Sequence, residues 1–373
     1  MKYYLIAGEA SGDLHGANLI RALHRQDPEA EVRCWGGNRM EAAGATLVKH
    51  YRELSFMGFF EVLANLPTIF RNLSFCKKDI EAFDPDALIF IDFSGFNLRI
   101  AKWAHRRGYH THYYISPQVW ASREGRVKKI RRDIDHMYVI LPFEKDFYEE
   151  KHGMPVDFVG HPLIDALANR PAPDPEAFRK SHGLDANKPI IALLPGSRAQ
   201  EVREILPLML SCVPRFPQYQ FAVAGAPSLD TEFYTPFLNG SGARLVTDQT
   251  YALLEVAHAA LVTSGTATLE TALLGVPQVV CYKGNWVSYQ IAKRLITLKY
   301  ISLVNLIMDR EVVTELIQND LTPENLQREL QWILEGKGRE AQLRDYEGLR
   351  KQLGGEGASN KAAKLIVDFT KAS

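Results

Sequence analysis

Three side chains stand where their local sequence could make them do chemistry: Asp92, Arg198 and Glu270. Asp92 follows the apolar run Ile89-Phe90-Ile91. A carboxylate at the carboxyl end of a buried strand lies where open α/β sheets keep their reactive groups, and a low dielectric there raises its pKa toward that of a general base. The same position also suits an N-cap for the helix that follows. Arg198 closes Leu194-Pro195-Gly196-Ser197-Arg198, where the glycine permits an unusual turn and the forked guanidinium could neutralise a pyrophosphate. A surface pairing of Arg198 with Glu201 is the plainer reading, but it leaves Gly196 unexplained. Glu270 lies in Leu261-Val262-Thr263-Ser264-Gly265-Thr266-Ala267-Thr268-Leu269-Glu270-Thr271-Ala272, which reads as a strand, a tight turn and a helix start. Free amides at Gly265, Thr266 and Ala267 would favour an anion such as phosphate. A carboxylate one turn further in would repel phosphate, so Glu270 fits sugar hydroxyls beside it better. Alternatively, Ser264 or Thr266 merely caps the helix. The Gly196–Arg198 and Gly265–Ala267 loops together specify an anion site better than either does alone.

Other segments are less specific. Gly8-Glu9-Ala10-Ser11-Gly12-Asp13 follows the first strand and lets backbone approach a ligand, yet it is neither a dinucleotide fingerprint nor a P-loop. A tight turn capped by Ser11 or Asp13 is its simpler meaning. Ser116-Pro117-Gln118-Val119-Trp120 runs into Arg123, Arg126, Lys128, Lys129, Arg131 and Arg132, a basic stretch for a phosphorylated substrate, an anionic membrane surface or plain solvent. His161 stands alone near a domain boundary, where a structural role is the default. Between Leu54 and Phe75, the residues Phe56, Phe59, Phe60, Leu63, Leu66, Phe70 and Leu73 recur at helical spacing, widened by Met57 and others. So broad an apolar face is either core or a surface for lipid, and Arg71, Lys77 and Lys78 beside it suit a membrane.

These residues need a frame. Strand-like runs at Tyr3–Ala7, Val32–Trp35, Ala87–Ile91, His112–Ile115, Met137–Leu141 and Asp157–Val159 alternate with helical patterns. A proline-rich stretch from Ala168 to Pro189 reads as a linker. The alternation resumes with Ile190–Leu194, Gln220–Ala224, Arg244–Val246, Ala260–Val262 and Gln278–Tyr282. The pattern predicts an α/β protein of two doubly wound parallel-sheet domains, with ligands at the strand ends and a cleft between. The expected boundaries are 1–168, 188–350 and a terminal helical segment 351–373. Lys+Arg and Asp+Glu both number 44, so charge gives no argument for nucleic acid. Cys34, Cys76, Cys212 and Cys281 are scattered, which predicts reduced core thiols and neither zinc nor disulfides. A strand from the second residue predicts a fold without an export signal, and no apolar run nears the ~20 residues of a spanning helix.

The chemistry alone leaves a metal-free two-domain glycosyltransferase, a nucleotide-sugar epimerase of the same architecture, and a two-lobed binding protein. The motifs then add a resemblance. Gly8-Glu9-Ala10-Ser11-Gly12-Asp13, Phe56-Met57-Gly58 with Glu61-Val62-Leu63, Ile91-Asp92, Ser116-Pro117-Gln118-Val119-Trp120-Ala121, Leu141-Pro142-Phe143-Glu144, Gly160-His161, Leu194-Pro195-Gly196-Ser197-Arg198, Ser264-Gly265-Thr266-Ala267 with Glu270, and Ser302-Leu303 with Asn305-Leu306 together resemble the lipid-A-disaccharide synthase family over nearly the whole chain.

The resemblance implies a GT-B fold whose last helices, 354–373, cross back to the first domain. It implies an inverting transfer of 2,3-diacylglucosamine from UDP-2,3-diacylglucosamine to 2,3-diacylglucosamine 1-phosphate, giving a β-1,6-linked disaccharide 1-phosphate and UDP. Asp92 matches the general base. Gly196, Ser197, Arg198, Gly265, Thr266, Ala267, Glu270, Asn305 and Gln318 match the donor side. Glu9, Ser11, Gly12, Trp120, Arg123 and His161 are assigned to the acceptor side, and Phe56, Met57, Phe59, Phe60, Leu63, Leu66 and Phe70 to lipid. No metal or other cofactor is implied. The expected location is the cytoplasmic face of the bacterial inner membrane, with a homodimer left open. Two stretches depart from the family: Ser94-Gly95 replaces a Pro-Asp pair, and Ser122 replaces a second tryptophan.

Overall fold

Unbroken apolar runs, not alternating ones, build the central strands, as sheets covered on both faces require. The computed structural model describes residues 1–54, 66–122, 124–168, 170, 173–284 and 299–372. It divides into two compact units, Met1–Arg170 with Leu353–Ser373, and Pro171–Gln352.

In the first unit β1 (Lys2–Ala7), β2 (Glu31–Gly36), β3 (Thr46–His50), β4 (Ala87–Ile91), β5 (Thr111–Tyr114), β6 (His136–Val139) and β7 (Asp157–Phe158) form one sheet, ordered β3-β2-β1-β4-β5-β6-β7. Every pairing is parallel. Residues Tyr3–Ala7 and Ala87–Ile91 are wholly buried. The helix Leu66–Phe83 lies against this core through Leu73, Cys76 and Ile80. It is tied there by Asp79, which takes the Tyr4 hydroxyl at 2.6 Å and the Arg33 guanidinium at 2.6 and 3.0 Å.

The last helix, Ala358–Ala372, belongs to this unit and buries Ala362, Ala363, Ile366 and Val367. Its start is fixed by Asp165, whose carboxylate accepts the Gly357 and Ser359 N–H groups at 2.6 and 2.9 Å. The His161 N–H donates to Leu353 O at 3.0 Å.

In the second unit β8 (Ile190–Leu194), β9 (Gln220–Gly225), β10 (Arg244–Thr247), β11 (Ala257–Thr263), β12 (Gln278–Tyr282) and β13 (Glu315–Ile317) form a second wholly parallel sheet, ordered β10-β9-β8-β11-β12-β13. One expectation fails here. The proline-rich stretch read as linker contains a helix, Pro175–Ser181. Asp174 caps it by accepting from Glu176 and Ala177 N–H at 3.0 and 3.2 Å, Pro175 opens its first turn, and Phe178 is buried in the core.

Candidate active site

Each sheet reverses its strand order once. In the first unit the reversal falls between β1 and β4, and register pairs Ala7 with Ile91, so the loops beginning at Gly8 and Asp92 leave the sheet side by side. In the second unit it falls between β8 and β11, where Val262 pairs with Leu194. Such reversals open a crevice beyond the carboxyl ends of the strands. Both pairs of motifs singled out from the sequence therefore stand at the ligand position of their own sheet.

At the first reversal, Asp92 and Phe93 are both left-handed, with φ of +43° and +46°. Two such non-glycine residues in a row are strained and need outside support. Asn97 Nδ2 donates to the Asp92 carbonyl at 2.9 Å and the Tyr113 hydroxyl donates to the same oxygen. The backbone is clamped, and the carboxylate takes no part in the clamp. Burial pushes its pKa up to about 6, Glu9 adds to the rise, and the Phe93 N–H opposes it. A Cβ on Gly8 would fall inside the Phe93 ring, which accounts for the glycine. Glu9 precedes the helix Ala10–Gln26 without capping it, and both Glu9 and Ser11 are exposed. Gly12 is buried and packs on Ala7. Asp13 caps no turn of its own. It accepts from the N–H groups of Gly37, Arg39 and Met40 and so fixes a neighbouring loop.

Trp120 is held by a residue to which the sequence reading gave no role. Glu144 is buried and accepts from Ser116 Oγ at 2.6 Å, Trp120 Nε1 at 3.1 Å, and the Ile140 and Leu141 N–H groups at 3.1 and 3.0 Å. Burial raises its pKa, and the Ser116 hydroxyl opposes this most strongly. A glutamate three residues into a helix after Leu-Pro was the available signal, as a capping box. His161 is buried, and its Nδ1 accepts the Leu163 N–H at 3.2 Å. Burial first, then His15, lowers its pKa to about 3, so the ring is neutral. Arg123, Phe56, Met57, Phe59, Phe60 and Leu63 lie outside the described residues, as does the Leu66 side chain. Of the apolar face that is described, Leu73 is core at 7% exposure, whereas Phe70 and Phe75 are 65% and 47% exposed.

At the second reversal, Gly196 has φ +116°, and a Cβ there would stand 2.5 Å from a Glu201 carboxylate oxygen. Glu201 folds back over the loop, accepting from the Ser197 and Arg198 N–H groups at 3.1 and 3.3 Å and meeting the Arg198 guanidinium at 3.5 Å. The Arg198–Glu201 pairing thus explains Gly196, contrary to the sequence-based expectation. The Arg198 side chain nevertheless stays 72% exposed and free to take a second anion.

The turn after β11 shows no side-chain cap. Gly265 occupies the N-cap position of the helix Thr266–Leu273, and Ser264 Oγ donates to Ile301 O at 3.0 Å instead. Gly265 and Thr266 are exposed and Ala267 half-buried. The first amides of that helix keep the positive end of its dipole open to an anion. Behind them Glu270 accepts the Tyr251 hydroxyl at 2.8 Å, and burial raises its pKa.

Asn305 differs from its expected role. It is fully buried, with Nδ2 on Val313 O and Glu315 Oε1 and Oδ1 on the Val312 and Val313 N–H groups. Its amide is spent on the chain itself, so it positions the loop at Ile301 and Ser302, which Glu315 also holds. Gln318, left-handed at φ +54°, donates to Gly284 O at 3.2 Å.

Known proteins share this plan. A sequence profile described as lipid-A-disaccharide synthetase matches residues 3–369. The lipid-A-disaccharide synthase of Geobacter metallireducens is 39% identical over 372 residues, 98% of this chain and 96% of its own length. Among solved structures, the UDP-GlcNAc 2-epimerase of Neisseria meningitidis, bound to UDP-GlcNAc, superposes with a TM-score of 0.66 at 14% identity, covering 100% of both chains. The glycotransferase of kitacinnamycin gives a TM-score of 0.64 at 16% identity over 98% of both chains. These structural likenesses carry the fold, two doubly wound units of the GT-B kind.

Proposed function

The chain belongs to the lipid-A-disaccharide synthase family, and on that premise we propose that it transfers 2,3-diacylglucosamine from UDP-2,3-diacylglucosamine to the 6-hydroxyl of 2,3-diacylglucosamine 1-phosphate. Family membership makes it a hexosyltransferase of lipid A synthesis, with a UDP-sugar donor and a lipid acceptor. The observation that carries the finer reading is Asp92: a half-buried carboxylate at a sheet reversal, its backbone clamped, its pKa near 6 and only the Phe93 N–H opposing that rise.

In this reading Asp92 takes the proton of the acceptor's 6-hydroxyl as that oxygen bonds to the donor's anomeric carbon. The bond from that carbon to the phosphate oxygen breaks, its electron pair leaves with UDP, and attack opposite the leaving group turns the α-linked donor into a β-linked product. A base with a pKa near 6 is ionised at neutral pH yet basic enough to accept the proton. Charge growing on the leaving phosphate is met by Arg198 and by the open amides at Gly265, Thr266 and Ala267, with Gly196 and Ser197 shaping the loop. Glu270, oriented by Tyr251, accepts from the ribose hydroxyls, while Asn305 and Gln318 brace the wall behind. Glu9, Ser11 and Trp120 line the acceptor side, where Glu144 holds Trp120 in place and Gly12 lets the first helix pack close on β1.

Among the described residues no helix is long and apolar enough to cross a membrane. We place the chain peripherally on the inner face of the inner membrane. Exposed Phe70 and Phe75 and the cations of the Val127–Asp133 helix support that reading. The test is product analysis with both sugars. UDP release that requires acceptor, together with a β-linked disaccharide 1-phosphate, is expected. Acceptor-independent epimerisation of the sugar nucleotide would overturn it.

A further inference from the structure

Beside Asp92 is a cavity of about 170 Å³, lined among the described residues by Leu54, Ile69, Asn72, Phe93, Gly95, Phe96 and Arg99. Its aromatic side is set by the strained pair at β4, since left-handed Phe93 stacks on Phe96 with ring centroids 5.6 Å apart. One wall residue is polar and buried. Asn72 is 6% exposed, and its carboxamide makes no hydrogen bond among the described residues. Its amide N–H groups are therefore uncommitted at the cavity wall and open to a ligand carbonyl. The open side is at Gly95, which is exposed and where a Cβ would meet nothing within 4 Å. Arg99 donates to the Gly95 carbonyl.

We propose that this cavity receives the first methylenes of an acyl chain carried by the diacylated sugar, with Asn72 donating to the chain's amide or ester carbonyl. The inference rests on the glycosyltransferase reading and adds a subsite to it. Size supports it: a cavity of roughly 150 Å³ lined by apolar side chains holds a benzene, so this one takes about six carbons. Position supports it too. The donor's amide-linked chain starts on the carbon next to the attacked one, and the acceptor's ester-linked chain starts across the ring from its 6-hydroxyl. Either lies within reach of a wall that begins one residue after the base.

The test measures kcat/KM for dodecanoyl against butyryl substrates, varying the acceptor with the donor held constant and then the reverse, in wild type, Gly95→Leu, Gly95→Ala and Asn72→Ala. Filling the mouth with Gly95→Leu should lower the long-to-short ratio by about fourfold for each methylene excluded, more than tenfold in all. Gly95→Ala should lower it less. Asn72→Ala should lower both chain lengths alike, because the carbonyl is common to them. A fall confined to one series identifies whether donor or acceptor carries the chain. Gly95→Ala reads the same ratio if Gly95→Leu does not fold. Wild-type protein that converts no diacylglucosamine pair contradicts the function. Wild-type conversion with a ratio indifferent to residue 95 in both series contradicts the subsite alone.

Discussion

At the scale of the residue, the proposed base is also a source of instability. Burial raises the pKa of Asp92 from 3.8 to about 6, so the folded protein holds this proton more tightly than the unfolded chain does. Between those values the unfolded state binds fewer protons, and stability from this group falls as pH rises through the window. Asp92→Asn should therefore match wild type near pH 4 and exceed it at pH 7 by up to about 3 kcal/mol. Urea unfolding at the two pH values measures this, and a difference that does not grow with pH would contradict it. Arg198 is the opposite case. Its exposed pairing with Glu201 contributes little, at most about 1 kcal/mol. Arg198→Ala should leave the melting temperature within error and lower kcat/KM for the donor about a hundredfold or more. Unchanged donor kinetics would remove it from the phosphate site. Both residues were legible in the sequence because each closes an apolar run. The inward commitment of Asn305 and the fold of Glu201 over Gly196 were not, because their partners are set by the loop's own folded shape.

At the scale of the element, the apolar runs of β1, β4, β8 and β12 are visible to within a residue, since a strand buried on both faces must be apolar throughout. Thr46–His50 escaped because an edge strand with Lys49 and His50 lacks that signature, and Glu315–Ile317 because three residues carry almost no pattern. The helix Leu66–Phe83 was ambiguous for a different reason: one sequence serves two faces. Leu73→Ala should destabilise by about 2–4 kcal/mol as a core truncation. Phe70→Ser with Phe75→Ser should leave the melting temperature within a few degrees and weaken binding to anionic vesicles. Sedimentation with vesicles and thermal unfolding, done on the same variants, separate these. Loss of stability without loss of vesicle binding in the double variant would make that face core.

At the scale of the whole molecule, the sequence foretold two parallel α/β sheets through their alternating strands and helices. It could not show the strand orders, which depend on crossovers that leave no mark on composition. Those orders matter most, because they bring Gly8 beside Asp92 and Pro195 beside Thr263 at the two reversals. The chain's return to its first unit depends on Asp165. Asp165→Ala strands the Gly357 and Ser359 amides and should cost about 2–4 kcal/mol, whereas Asp368→Ala, on the exposed face, should cost almost nothing. Equal effects of the two in thermal unfolding would show that the helix start is not fixed this way. The central claim is that Asp92 is the base of an inverting sugar transfer. Its most direct test is the pH dependence of kcat/KM for wild type and Asp92→Asn, with UDP affinity measured alongside. The account predicts a wild-type rate that falls below about pH 6, a variant at least about a hundredfold slower, and unaltered UDP binding. A variant that turns over at near wild-type rate would contradict it.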